Sequence, residues 1–208
     1  MTRMRLFLPA LLYTTALLSA QGTPPRASAS DYQTQGKAGD ISIAAEFLGH
    51  SVPTSTNILS SEEYVVVEAA LYGAADARLK LSLDDFSLRI NGKKTPLPAQ
   101  PYELVFKSIK DPDLEPPASE KKSKGGLNTS GGGNGNEANL PPPVVHIPIG
   151  VQRAMEQRVQ KASLQEGERA LPQAGLVYFQ YRGKPQSIRS VELIYSGPAG
   201  KLTLPLQP

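Results

Sequence analysis

The chain has 208 residues, of which 39% are hydrophobic and 20% charged, the composition of one ordinary globular domain diluted by flexible segments. Cysteine is absent, which excludes disulfides, thiol nucleophiles, thiolate metal ligands and the lipid-attachment cysteine of a bacterial lipoprotein. The formal net charge is +3, and leaving out the two arginines of the first twenty residues gives +1. That balance offers no argument for binding nucleic acid or a membrane surface.

The first twenty residues have the pattern of a signal peptide. Arg3 and Arg5 provide a positive start, and residues 6–18 form an almost purely apolar run. A bilayer core about 30 Å thick needs about 20 apolar helical residues, so this run is too short to span it. We therefore predict that residues 1–20 are a removable leader and that the remainder is exported to the periplasm or secreted.

Two positions offer the small residues that a signal peptidase requires. We predict cleavage between Ala20 and Gln21, directly after the apolar run. The sequence Ala27-Ser28-Ala29 fits the small-x-small rule better but lies far from that run, so the exact site stays open. An uncleaved N-terminal anchor is the alternative to removal. In either case, residues 21–39 are expected to be a mobile N-terminal segment.

Residues 40–110 read as the first part of a β-sandwich. Apolar and polar side chains alternate over residues 41–47, and residues 64–72 form a β-branched and aromatic run typical of a central strand. Apolar residues alternate with polar ones over 79–83 and again over 86–90, which predicts two short strands that meet at an acidic bend, Asp84-Asp85. The pattern thus predicts four strands before residue 91.

The next segment contains a hairpin signal. Asn91-Gly92 favours a type I′ turn, in which both central residues have positive φ, so residues 93–97 are expected to return as a strand. Pro98 and Pro101 limit ladder hydrogen bonds after that point. Residues 102–109 are therefore either an edge strand or an ordered loop.

Residues 111–149 differ sharply in composition from the rest of the chain. They are rich in Pro, Lys, Ser, Asn and Gly, and such a segment cannot bury enough apolar surface to fold. We predict a long disordered inserted loop. Its basic run, Lys121, Lys122 and Lys124, is the one candidate interaction site in the sequence, since a flexible basic segment can attach to anionic polymers or headgroups. The alternative is a solubilising linker.

Residues 150–208 are expected to complete the same domain. Val151, Met155, Val159 and Ala162 recur at helical spacing and predict one amphipathic helix over 151–164, with Met155 and Val159 facing the sandwich. Residues 176–181, 188–195 and 201–206 predict three closing strands. Neither part encloses a core alone, so the fold class is mainly β: a single immunoglobulin-like antiparallel β-sandwich with one short amphipathic helix and the inserted loop.

Two patches of this sequence resemble a known family. The stretch 64–68, followed by 83–88 and Asn91-Gly92-Lys93, is similar to the valine-rich strand, Asp-Phe bend and hairpin of exported bacterial telokin-like, immunoglobulin-like domains. Residues 171–175, 177–179 and 190–195 are similar to the late turn and closing strands of the same group. That group is related in fold to mycobacterial immunoprotective antigens and is mostly of unknown function. The resemblance implies a fold and no chemistry, because these residues serve packing.

Residues that could carry chemistry are few. The histidines, His50 and His146, lie about a hundred positions apart, and no nucleophile elbow, His-Glu-x-x-His pair or phosphate-binding glycine loop is present. The adjacent carboxylates Asp84-Asp85 and Glu62-Glu63 would point to opposite faces of a strand and so could not cooperate. We therefore expect no catalytic residue, no metal site and no cofactor.

Three functions follow as hypotheses. The first is an exported, non-catalytic interaction module that binds an unknown protein in the envelope or extracellular space. The second is an exported protein that binds a small molecule or a metal, with its site between the sheets or under the helix; a pocket with converging polar groups would favour it. The third is an enzyme with an unfamiliar carboxylate or serine arrangement, which would need perturbed ionisable groups in one cleft. We expect the first, and we do not expect an enzyme.

Overall fold

The computed structural model describes residues 23–112 and 147–208. Eight strands form one large antiparallel sheet in the order β1-β2-β5-β11-β8-β7-β12-β13, and β6–β10 and β3–β4–β9 form two smaller sheets. The strands are β1 (Thr34–Ala38), β2 (Ile41–Gly49), β3 (Ser51–Pro53), β4 (Ile58–Ser61), β5 (Tyr64–Tyr72), β6 (Arg78–Leu81), β7 (Phe86–Ile90), β8 (Leu97–Gln100), β9 (Ile109–Lys110), β10 (Gly167–Ala170), β11 (Gln173–Gln180), β12 (Val191–Gly197) and β13 (Gly200–Leu206). The helices are α1 (Tyr102–Val105) and α2 (Ile149–Ala162).

The large sheet folds over a main core. Leu202 and Leu204 of β13 lie close to Gly36 of β1, so the two ends of the sheet approach each other. The side chains of β2, β5 and β11 that point inward, including Ile43, Val67 and Phe179, pack against the inward side chains of β7 and β12. The predicted mainly β, antiparallel architecture is confirmed.

The two parts of the chain on either side of residues 113–146 build this sheet together. Strand β11 lies between β5 and β8, and β12 pairs with β7, so strands from the later part are inserted among strands from the earlier part. Side chains from both parts therefore contribute to the main core. The leader, the Ala20–Gln21 bond and the basic run at Lys121, Lys122 and Lys124 lie outside the described residues.

The opposite face of β2, β5 and β11 is buried as well. A second core forms where α2 and the β3–β4–β9 sheet cover Tyr64, Val66, Leu176 and Tyr178. Met155 and Val159 of α2 point into it, with exposed fractions of 3% and 0%, as the helical spacing predicts. Residues from the N-terminal segment cover the rest of this face around Ala44, Ala70 and Ala174.

Four expectations differ from the structure. Residues 23–39 are not a mobile lead-in: a 3-10 turn (Ala29–Asp31) precedes β1, which pairs with β2 along five residues and buries Ala38. Residues 93–97 do not form the returning strand, since the turn hydrogen bond from Lys93 to Ile90 is followed by exposed residues and pairing resumes at Leu97. Residues 102–109 form α1 and a 3-10 turn, and only Ile109–Lys110 is strand.

The fourth difference concerns the acidic bend and the segment after α2. Asp84 and Asp85 lie in a 3-10 turn, Leu83–Asp85, so the argument from opposite strand faces does not apply to them. The periodicity also did not predict β10, which begins at Gly167, three residues past the predicted end of the helix, and pairs with β6. Both segments are short and polar. A paired strand or a capping side chain determines their conformation, and hydrophobic periodicity does not.

Candidate functional site

A charged residue lies in the middle of the doubly buried part of the sheet. Glu68 on β5 is 7% exposed, and its neighbours along the strand are valines and alanines. Its cross-strand partner on β2 is a second carboxylate, Glu46. Like charges directly opposite each other on a sheet repel, so this pair requires a cation.

Arg26 supplies that cation. Its Nη2 atom lies 2.5 Å from Oε2 of Glu46 and 3.0 Å from Oε2 of Glu68, so one guanidinium group bridges both carboxylates. Nη1 donates to the carbonyl of Asp31 at 2.6 Å. The guanidinium is therefore satisfied by charge-assisted hydrogen bonds, the geometry in which a buried ion pair can persist.

Two tyrosines hold the backbone around Arg26. The guanidinium carbon lies 4.2 Å from the ring centroid of Tyr32, a cation–π contact, and the Arg26 amide donates to the Tyr32 hydroxyl at 3.3 Å. The Tyr72 hydroxyl donates to the Arg26 carbonyl at 2.9 Å, and the two rings meet edge to face. Residues 23–32, called the strap below, are thereby fixed across the sheet.

The electrostatic environment of these groups follows from burial and charge. Burial lowers the pKa of Arg26, but the hydrogen bond to Glu46 and the charges of Glu68 and Glu46 outweigh it, so the pKa is raised overall. Burial also raises the pKa of the Tyr32 and Tyr72 hydroxyls. All three side chains therefore keep their neutral-pH ionisation state over a wide pH range.

A groove of about 370 Å³ opens between the strap and α2. Its walls are the start of the strap, the turn between β3 and β4, and the last turns of α2, and Glu68 and Leu176 of the sheet lie at its floor. Its lining combines apolar, hydroxyl and charged side chains: Thr23, Pro24, Pro53, Thr54, Ser55, Glu68, Arg158, Lys161, Ala162 and Leu176. The volume lies in the range of small-ligand sites.

Hydrogen bonds hold the three walls of the groove in place. Thr23 donates through its hydroxyl to the carbonyl of Ala162 at 3.0 Å, which joins the strap to the last residue of α2. Arg158 donates from Nη1 to Thr56 Oγ1 and Asn57 Oδ1, at 3.0 and 3.1 Å, which joins α2 to the β3–β4 turn. The groove is therefore a product of the fold rather than a gap between loose segments.

A smaller cavity of about 160 Å³ lies on the other side of the end of α2. There the Ser163 hydroxyl donates to the carbonyl of Val159 at 2.7 Å, and it lies 3.1 Å from the hydroxyl of Tyr178, which is 1% exposed. Burial raises the pKa of Tyr178. These contacts anchor the end of the helix to β11.

The other residues singled out in the sequence lie apart from the groove. His50 donates from Nδ1 to the Ser61 carbonyl at 2.7 Å, and His146 lies outside the described residues. Glu62 pairs with Lys110 at 2.8 Å and Glu63 with Arg182 at 3.1 Å, both at the surface. Partial burial raises the pKa of Asp85, which lies near Glu166 and Tyr195.

Within residues 23–112 and 147–208, His, Asp and Glu side chains form no group of three or more that could hold a metal ion. No helix in the same ranges has the length and apolarity needed to cross a bilayer.

Five residues of the site were not predicted from the sequence: Arg26, Glu46, Glu68, Arg158 and Lys161. A signal for Glu68 was present, because it is a carboxylate inside an otherwise apolar nine-residue strand. Charged residues are almost never fully buried unless they are paired, so a cation from elsewhere in the chain is implied. The sequence does not say which cation, because Arg26 lies 42 positions away in a segment without apolar periodicity.

Comparison with known proteins adds little. No protein-family model matches the chain, and no curated protein shows significant similarity to it. Among solved structures, it is similar to a protein of Bacillus subtilis subsp. subtilis str. 168 described as a lipoprotein (ycdA), with 10% identity and a TM-score of 0.38. The likeness covers 84% of this chain but 38% of that chain, so this chain spans about two fifths of its length. Membership of the telokin-like group stays a prediction.

Proposed function

We propose that this protein is an exported, non-catalytic binding module of the cell envelope or its surroundings, and that the groove between the strap and α2 is its binding site for a small molecule. The observation that carries the proposal is the groove itself, about 370 Å³ in volume and lined by apolar surface with a few converging polar groups. Such a combination is typical of small-ligand sites.

The rigidity of the walls supports a binding role. Thr23, Arg26 and Arg158 each hold a wall through hydrogen bonds to a distant segment. A groove whose walls are already fixed loses little conformational entropy when a ligand enters, so more of the contact energy appears as affinity. The four segments that form the groove come from the two parts of the chain, so binding requires the complete fold.

A non-catalytic role is supported by the state of the carboxylates. Glu68 is the one carboxylate among the described residues that lines the groove, and it is engaged by Arg26 and by the Tyr32 hydroxyl, whose oxygen lies 3.4 Å from Oε1. Because both oxygens of Glu68 already accept hydrogen bonds from these groups, the side chain is not placed to take a proton from a bound molecule. The proposal that the protein is exported rests on the leader predicted in residues 1–20.

A protein partner, which the sequence analysis favours, stays a prediction. A stable protein interface buries about 800 Å² on each partner. The large apolar side chains that are exposed in the described residues, Ile58, Leu104 and Ile149, belong to β4, α1 and α2 respectively. The small volume of the groove is better matched to a small ligand.

The test is binding measured by NMR on the mature chain, residues 21–208. Backbone amide shifts are recorded during titration with three compounds of one skeleton: 4-phenylbutyrate, 4-phenylbutyramide and 4-phenylbutylamine. We expect at least one compound to shift the amides of Leu176, Ala162 and Ser55 together. Shifts scattered over the surface, or none with any of the three, would refute the groove as the site.

A blocking variant separates the groove from other surfaces. Ser55 lies exposed on the β3–β4 turn at the mouth of the groove, so Ser55→Trp should abolish binding without disturbing the core. Ser196, exposed on β12 away from the groove, provides the matched control. Ser196→Trp should bind as the unmodified protein does, and equal loss in both variants would count against the proposal.

A further inference from the structure

Two cations stand on one wall of the groove. Arg158 and Lys161 are three positions apart on α2, so their side chains are neighbours on the same face of the helix, and both line the groove. Neither forms an ion pair with a carboxylate among the described residues. Two cations placed side by side without a counter-charge repel each other, and an anion between them would relieve that repulsion.

Some N–H groups of these two cations already donate hydrogen bonds within the fold, and others do not. Arg158 uses Nη1 for Thr56 and Asn57 and Nε for the Ala154 carbonyl, at 3.2 Å, which fixes the plane of the guanidinium. Its Nη2 atom has no hydrogen-bond partner in residues 23–112 and 147–208, and neither has the Lys161 ammonium group. A fixed guanidinium with a free donor is preorganised for an oxyanion.

The carboxylate at the floor of the groove forms no ion pair with Arg158 or Lys161. Glu68 at the floor is engaged by Arg26 and Tyr32. The Thr54 hydroxyl donates within its own turn, to the carbonyl of Asn57 at 2.8 Å. The Ser55 hydroxyl, exposed at the mouth, makes no hydrogen bond to another described residue and is a further available donor.

We infer that the ligand of the groove is a small amphipathic organic anion, a carboxylate or a phosphate monoester. This inference rests on the proposed function above. The anionic group would be held by Arg158 and Lys161, with Ser55 as a neutral donor, while the apolar body lies against Pro24, Pro53 and Leu176. Arg26 shares its single positive charge between Glu46 and Glu68, so this network keeps a net charge of −1. The two cations on the α2 wall outweigh that charge, and both oxygens of Glu68 already accept hydrogen bonds, so a cationic ligand is disfavoured.

Lys161 also lies in the last turn of α2, where a cation interacts favourably with the helix dipole whether or not a ligand binds. A purely structural role would affect the stability of the helix and leave ligand discrimination unchanged. The test therefore needs a readout that compares charged and neutral ligands of the same shape.

The experiment measures dissociation constants of the mature chain for 4-phenylbutyrate, phenyl phosphate, 4-phenylbutyramide and 4-phenylbutylamine by isothermal titration calorimetry. We expect the two anions to bind at least tenfold more tightly than the amide and the amine. Raising the salt from 50 to 500 mM should weaken binding of the anions and leave that of the amide unchanged, because salt screens charge interactions.

Lys161→Gln is the diagnostic variant, since this side chain makes no bond within the described structure and its loss should not unfold the protein. We expect the affinity for 4-phenylbutyrate to fall about tenfold and the affinity for the amide to stay the same. Arg153→Gln removes the same charge from an exposed site on α2 outside the groove and should change neither.

The outcomes separate the two proposals. If 4-phenylbutyramide binds as tightly as 4-phenylbutyrate and shifts the backbone signals of the groove residues, the groove is the site but the inference of an anionic ligand is wrong. If Lys161→Gln and Arg153→Gln weaken the acid equally, the effect is one of net charge and the inference is likewise overturned. If none of the four compounds binds, both the inference and the proposed function fall.

Discussion

Glu46 and Glu68 stand directly opposite each other on β2 and β5, and the only described cation that contacts both carboxylates is Arg26. A cross-strand pair of like charges destabilises a sheet, and here one of the two carboxylates is 7% exposed. The strap is therefore part of the fold. The guanidinium converts a repulsive pair into a three-group network in which each carboxylate accepts a charge-assisted hydrogen bond.

Replacing Arg26 by methionine should reveal this dependence. The Arg26→Met variant keeps the apolar stem but leaves Glu68 buried without a cation. We expect the free energy of unfolding to fall by about 2–3 kcal/mol, less than for a fully buried pair because the Arg26 side chain is 34% exposed. Urea denaturation followed by circular dichroism measures the change. Arg153→Met, at an exposed position on α2, is the control and should alter stability by less than about 0.5 kcal/mol.

A double variant distinguishes loss of charge pairing from loss of packing. Removing both partners, Arg26→Met with Glu68→Met, should recover at least about 1 kcal/mol relative to Arg26→Met alone, because no uncompensated charge remains buried. If the double variant is less stable than the single one, the strap is held by its tyrosine contacts and not by the ion pairs.

Met155 tests whether α2 belongs to the core. Its side chain is 3% exposed and packs in the second core with Val159. Met155→Asp places a carboxylate there without a partner, so we expect a loss of several kcal/mol and a clearly lower melting temperature. Gln157→Asp, on the exposed side of the same helix, should cost much less. An unchanged melting temperature for Met155→Asp would mean that the helix does not contribute to stability.

Gly175 lies where the segment after α2 passes close over β11. A Cβ atom at this position would lie 2.4 Å from the backbone of Leu164, whose amide donates to the carbonyl of Leu176. Backbone cannot move aside as a flexible side chain can, so Gly175→Ala should destabilise the protein by about 2–3 kcal/mol. Gly150→Ala, near the start of α2 and with nothing within 4 Å of its Cβ, should be neutral or slightly stabilising. Equal melting temperatures for the two variants would contradict this contact.

The buried tyrosines predict that the free energy of unfolding falls at alkaline pH. Burial raises the pKa of Tyr32 and Tyr178 above the ordinary tyrosine value of about 10. Below pH 10 both states of the protein keep these protons, so the two residues give no pH dependence there. Between pH 10 and the raised pKa of the folded state, the unfolded chain loses these protons first, so stability falls with pH, by up to about 1.4 kcal/mol per pH unit for Tyr178.

Tyr178→Phe removes one of these ionisable groups. We expect its free energy of unfolding to fall less steeply with pH, by about 1.4 kcal/mol per unit, between the ordinary tyrosine pKa and that of the folded protein. At pH 7 the variant loses only the contact with Ser163. Identical slopes for the variant and the unmodified protein between pH 10 and 11 would refute the assignment.

Hydrophobic periodicity predicted the elements that bury their own apolar face. The alternation of Ile43 and Ala45, the run from Tyr64 to Tyr72, and the spacing of Met155 and Val159 each correspond to an element in the structure. The Asn91-Gly92 signal was also informative, since both residues have positive φ and Lys93 donates to Ile90. These features are local, so the sequence around each residue is enough to specify them.

Elements stabilised by distant partners could not be predicted in the same way. β1 is polar and is a strand because it pairs with β2, and β10 is a strand because it pairs with β6. The site has the same property, since the groove joins the strap, the β3–β4 turn, α2 and the sheet. These side chains are far apart in the sequence, so their proximity depends on the strand order of the whole sheet. They are Arg26, Glu46, Glu68 and Arg158.

The strap restricts where the leader predicted in residues 1–20 could be removed. Cleavage between Ala20 and Gln21 leaves Thr23 and Arg26 in the mature protein, whereas cleavage after Ala29 would remove both. The shorter product would lack the wall that Thr23 attaches to Ala162, and its sheet would carry two opposed carboxylates with no guanidinium between them. The two predicted cleavage positions differ by nine residues, and cleavage there would leave the groove complete in one case and an open, destabilised sheet face in the other.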